Sequence, residues 1–181
     1  MNSWFFEQAR KGNLYHSDNT TGKAHTAIHA THTGVALENP LGSGKDLVIE
    51  SFSFTGSTLT TISELGIGIA PSSSSVLSGS TTANVIHNAQ TAGGGVDIGV
   101  ALPYSVATLS STPVWLMPLG SSRITNAVEG GIESTKVFDG TLIVAPGMYA
   151  CIMALTTART GLGSVTWAEI DILPEGDIPL L

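Results

Sequence analysis

A chain of 181 residues, 42% of them hydrophobic, is long enough for one domain that buries roughly 70% of its extended surface and too short for two comfortable cores. Charged residues make up only 12%, against a usual share of about 25%, and a net charge of −7 with seven scattered basic residues excludes a phosphate-binding face, so no nucleic-acid partner is expected. The absence of any apolar run of about 18 residues excludes a transmembrane helix, and no membrane partner is expected. The lone Cys151 excludes an intrachain disulfide.

Residues 1–12 read as a short helix capped by Asn2 or Ser3, with the aromatic cluster Trp4, Phe5 and Phe6. The segment lacks the basic start, apolar core and small-residue cleavage site of a secretory leader. Its aromatic rings need a cover, either the chain's own sandwich or a neighbouring subunit. Residues 24–37, rich in Thr, His and Ala, read as one extended strand. Asn39 to Gly44 is a turn. In residues 46–55 a period of two sets Val48, Phe52 and Phe54 on one face and Leu47, Ile49, Ser51 and Ser53 on the other. Residues 65–70, Leu-Gly-Ile-Gly-Ile-Ala, form another strand, whose glycines point to a bend or a close backbone neighbour.

Residues 71–95, with Ser72 to Ser75 and Gly93 to Gly95, are too long for a structureless loop and are expected to be functional or to hide a short strand. Further strands are expected at residues 96–102, 113–119, 136–145, 148–157 and 164–173. Pro146-Gly147 supplies one turn, and residues 159–163 are read as a loop. About eight short strands with Gly, Pro, Ser and Asn punctuation predict an all-β, antiparallel β-sandwich of jelly-roll type with an N-terminal arm. The expected organisation is an arm or short helix over 1–13, one sandwich domain over 14–173 and an extended tail over 174–181, whose two prolines bar it from a central strand.

No catalytic constellation emerges. Gly42-Ser43-Gly44-Lys45 resembles the end of a phosphate loop, yet the pattern needs a Gly at position 39 and a hydroxyl at position 46, where Asn39 and Asp46 stand. A tight turn is the better reading. His25, His29 and His32 are the metal candidates by spacing; on a strand His25 and His29 share a face while His32 points away, and no acid is at hand to orient them, so no metal and no cofactor are expected. Glu169 and Asp171 alternate with Ile170 and Ile172 and so share a face, as strand alternation routinely arranges. Cys151, inside an apolar strand, reads as a small buried hydrophobe, and Trp115 and Trp167 as core or interface rings.

Three stretches carry a family likeness: Asn39-Pro40-Leu41-Gly42-Ser43-Gly44-Lys45-Asp46-Leu47, then Gly140-Thr141-Leu142-Ile143-Val144-Ala145-Pro146-Gly147, then Trp167-Ala168-Glu169. Their order, around a Ser- and Gly-rich middle, resembles a family of small β-sandwich virion proteins of tailed bacteriophages, components of head, neck or tail. The resemblance implies a non-enzymatic capsid decoration or cement protein, made in the host cytoplasm and resident in the virion. It implies a homotrimer that binds the major capsid protein or other virion proteins. Trp4, Phe5 and Phe6 are then the expected partner-binding residues, since buried aromatics dominate such contacts. A carbohydrate- or receptor-binding sandwich module of a phage tail or fibre is the alternative.

Overall fold

The computed structural model describes residues 3–28, 31–56, 63–71, 82–83, 85–90, 99–108, 111–122 and 133–172. Among these residues one helix, α1 (Ser3–Lys11), precedes twelve strands: β1 (Leu14–Asp18), β2 (Lys23–His25), β3 (Thr31–Asn39), β4 (Lys45–Gly56), β5 (Ser63–Pro71), β6 (Thr82–Ala83), β7 (Ile86–Asn88), β8 (Leu102–Thr108), β9 (Val114–Ser122), β10 (Glu133–Val144), β11 (Met148–Ala154) and β12 (Arg159–Asp171). They form two antiparallel sheets. The first runs β10-β4-β12-β1-β7, with β2 added on the end of β12; the second runs β6-β8-β3-β11-β5-β9.

The pairing is that of a long hairpin rolled on itself. β1 pairs with β12, β3 with β11, β4 with β10 and β5 with β9, the rungs of one folded-back ribbon. Rolling the ribbon adds β12 to β4 and β11 to β5, and alternate rungs fall into opposite sheets. Eight strands wound this way are a jelly roll, as expected from the sequence. The remaining strands are additions: β2 lies between β1 and β3, while β6, β7 and β8 all come from the long connection between β5 and β9. In its described residues, the stretch expected to hide a short strand holds β6 and β7.

Between the sheets lies the main core, with Leu37, Leu47, Ile49, Phe52, Phe54, Ile67, Ile152, Val165 and Trp167 all buried. Strict alternation along β4 fails here. Leu47 and Ile49 face inward together with Phe52 and Phe54, because Ile49 pairs with Trp167 and Ser51 with Thr166, leaving Glu50 as an extra residue. That bulge inverts the alternation halfway along the strand, so Val48, expected beside the phenylalanines, faces outward under α1.

Other expected boundaries move for local reasons. Residues 24–37 are two strands rather than one, joined back to back where the Thr26 amide donates to the Thr33 carbonyl. β1 escaped the sequence reading because only Leu14 and Tyr15 are apolar. The strand expected over 96–102 is irregular in its described part, 99–101, and extended structure begins at Leu102. Residues 159–163, read as a loop from Gly161 and Gly163, open β12. A Cβ on Gly161 would collide with the Thr55 carbonyl oxygen, and one on Gly163 would lie 2.8 Å from Val35 and from the His25 ring. These glycines mark close packing inside a sheet, not a turn.

Pro146-Gly147 does turn the chain from β10 to β11, with Gly147 at φ +77°. The tail expected over 174–181 lies outside the described residues.

Candidate functional site

The helix expected at the N-terminus folds back on its own sandwich. Phe5, 3% exposed, packs with Leu14 and Ala168, and Trp4, Ala9, Val48, Ala89 and Ile170 close around them on the outer face of the first sheet. Trp4 meets Phe5 edge to face at 4.7 Å. Phe6, the next residue round the helix, is 54% exposed. The three rings expected to bind a partner therefore divide: Phe5 belongs to this chain's interior, Trp4 stands at its rim, and Phe6 faces outward.

Beside Trp4 opens a shallow groove of about 300 Å³ lined by Val48, Asp139, Gly140 and Ile143. Its far wall is β10, the outermost strand of the first sheet. Between Val137 and Leu142, β10 carries four residues against the single Glu50 of β4. The excess is absorbed by a tight excursion in which Asp139 (φ +52°) and Gly140 (φ +83°) adopt the left-handed conformation and the Thr141 hydroxyl donates to the Phe138 carbonyl at 2.6 Å. Phe138 plugs inward against Phe52. The double bulge presents Ile143, 54% exposed, and Val137 on the outer surface. Burial, and then Asp139, pushes the Glu50 carboxyl above its ordinary range.

The histidine cluster read from spacing does not assemble. His25 is fully buried: its Nε2 accepts the Val35 amide at 3.2 Å, and Nδ1 donates to the Lys23 carbonyl at 3.2 Å. Phe54 stands edge-on to the ring at 4.9 Å. With both nitrogens held by backbone, the imidazole has no lone pair to offer a metal. Burial lowers its pKa to about 4, so it is neutral near pH 7. His32 lies on β3, a different strand from His25, and His29 lies outside the described residues.

The other sequence candidates are structural. Glu169 and Asp171 share β12 but not an environment. Glu169 is 3% exposed and accepts the amides of Val100 (2.9 Å) and Ala101 (3.1 Å) and the Trp167 indole N–H (3.2 Å), anchoring residues 100–101 to the sheet. Asp171 is exposed and pairs with Lys45 at 2.8 Å. Gly42 (φ +90°) and Gly44 (φ +70°) form the tight turn expected between β3 and β4, closed by the Ser43 amide on the Pro40 carbonyl. Cys151 is buried and its thiol is pushed up to about 12 by burial, which keeps it protonated and unreactive. Trp167 is core, and Trp115 packs on a second apolar cluster with Tyr104, Tyr149 and Met153.

Sequence reasoning missed His16, His87, Glu50 and Asp139. The bulge pair Glu50 and Asp139 had one local signal, Asp139-Gly140 inside a strand pattern. His16 and His87 are 71 positions apart in sequence, and only pairing of β1 with β7 brings them together. Comparison with known proteins finds no match: no protein-family model, no curated protein and no solved structure matches the chain.

Proposed function

We propose that this chain is a non-enzymatic structural protein that self-associates through the face formed by α1 and β10, and that it serves as a decoration or cement subunit on a phage head lattice. The observation that carries the reading is the apolar groove of Trp4, Val48 and Ile143, together with the exposed ring of Phe6 elsewhere on the same helix. An exposed knob and an open groove at separate places on one helix suit a second copy of the chain. If Phe6 of each copy enters the groove of the next, the contact is heterologous, and a three-fold rotation closes it as a trimer. The open edge of β10 is not the contact itself, since its double bulge breaks the ladder a partner strand would need. The jelly roll adds fold-level support, being common in capsid proteins, though it serves lectins and cupins equally.

Light scattering on the purified chain, followed by co-sedimentation with phage heads, tests the reading. A trimer that converts to monomer in Phe6→Glu or Ile143→Glu, with the melting temperature unchanged, is the expected result. A wild-type chain that stays monomeric at every concentration and does not sediment with heads refutes it.

A carbohydrate-binding role draws on a different observation. Asp18, Thr20, Ser53, Thr55 and Ser164 line an open groove of about 400 Å³ with Leu162 on the outer face of the first sheet, a hydroxyl- and carboxylate-rich surface suited to a polyol. Glycan-array binding lost in Asp18→Ala would favour that role over assembly.

A further inference from the structure

His16 on β1 and His87 on β7 stand directly opposite one another in an antiparallel pair. Directly opposed residues have Cβ atoms about 4.5–5.5 Å apart, close enough for two imidazoles to close on one ion. Both side chains are exposed, while their neighbours Tyr15, Ser17 and Asn88 turn inward, so the rings share the outer face. The His16 Nδ1 lies 3.2 Å from the Thr166 hydroxyl of β12. That contact orients the ring and, among the described residues, leaves Nε2 available to bind, the arrangement in which a metal-binding histidine is held through its other nitrogen.

The platform is rigid although β7 is only three residues long. On one side Asn88 Nδ2 donates to the Gly12 carbonyl at 2.6 Å, the Ala89 amide to the Leu14 carbonyl at 2.8 Å and Gln90 Nε2 to the Arg10 carbonyl at 3.0 Å. On the other, the Ser17 hydroxyl donates to the Val85 carbonyl at 2.9 Å. The backbone that carries His87 is thereby held beside β1 before any ligand arrives.

We propose that His16 and His87 form a two-imidazole site for a late divalent transition metal, with Thr166 as the positioning residue. Among the described residues no group of three or more His, Cys, Asp or Glu is placed to hold a metal, so the remaining coordination positions fall to water. Two imidazoles with water favour Cu²⁺ over Ni²⁺ and Zn²⁺. The ion would bridge β7 to β1, pinning the long β5–β9 connection to the first sheet.

Calorimetric titration of the full chain with Cu²⁺ and with Ni²⁺, in a non-chelating buffer, tests the site. One ion per chain is expected, bound at least tenfold more weakly by His16→Gln and by His87→Gln and several-fold more weakly by Thr166→Val. His29→Gln and His32→Gln should bind as the wild type does. The Cu²⁺ electron paramagnetic resonance spectrum of the wild type should show two nitrogen ligands, a readout that needs no variant to fold. Absence of saturable uptake, a single-nitrogen spectrum, or uptake lost in His29→Gln or His32→Gln instead would overturn the proposal.

Discussion

Acidification should destabilise this protein through His25 before its carboxylates matter. In the folded chain the imidazole is neutral, with Nε2 held by the Val35 amide and Nδ1 by the Lys23 carbonyl, and burial lowers its pKa from 6.5 to about 4. Above about pH 6.5 neither the folded nor the unfolded chain protonates this ring, and its contribution is fully present. As pH falls below 6.5, the unfolded chain takes up a proton that the folded chain refuses, so stability declines by about 1.4 kcal/mol per pH unit until the folded ring titrates near pH 4. The integrated loss between pH 7 and pH 4 is about 3 kcal/mol, a large part of a typical domain's stability.

Urea unfolding of the wild type and of His25→Gln, measured at half-unit steps from pH 7.5 to pH 4, isolates this ring. Gln offers an oxygen to the Val35 amide but does not titrate, so the variant is less stable at pH 7 and its deficit shrinks as the pH falls. Carboxylates and the other histidines titrate in both proteins and cancel in the difference. A gap between wild type and variant that stays constant from pH 7 to pH 4 would refute the assignment of His25 as a buried neutral ring. So would a resonance assigned to the His25 imidazole that titrates near 6.5 in the folded protein.

Phe5→Ala should cost about 3–5 kcal/mol in denaturant unfolding by opening a cavity under α1, whereas Phe6→Ala should stay within about 0.5 kcal/mol and change only the assembly state. Glu169→Ala should cost about 2–3 kcal/mol, because it leaves the Val100 and Ala101 amides and the Trp167 indole N–H without their acceptor; hydrogen exchange at those two amides should accelerate well beyond that of β12. Gly34→Ala should lower stability by at least about 1–3 kcal/mol, since Gly34 sits at φ +125° and a Cβ there would lie 2.6 Å from the His25 ring; unchanged urea midpoints would contradict that packing. Cys151 should resist thiol reagents in the folded protein and react at once in urea, the measurement being reagent uptake against denaturant concentration.

The fold class was legible from local pattern. Short β-branched runs, Pro146-Gly147 and the Gly42 and Gly44 turn identify strands and reversals because period-two burial and left-handed glycines are properties of a few neighbouring residues. The helical arm was legible for the same reason, and so was the burial of Cys151 and Trp167 inside apolar runs. Even the failure of the phosphate-loop reading could be anticipated, since Asn39 and Asp46 stand where the pattern needs a Gly and a hydroxyl.

What local pattern does not carry is set by partners distant in the chain. The bulge at Glu50 arises from its pairing with β12 and β10, and it alone reverses which face of β4 enters the core. Gly161 and Gly163 look like loop residues until Thr55, His25 and Val35 are seen against them. His25 became a core residue and Phe5 an interior ring only once β3, β12 and the first sheet closed over them. The groove at Trp4 and Ile143 and the facing pair His16 and His87 join residues many tens of positions apart. Sequence fixes which side chains exist and how each short segment prefers to lie; rolling the ribbon into two sheets decides which of them meet, because contacts between sheets depend on register and bulges that no short window of residues encodes.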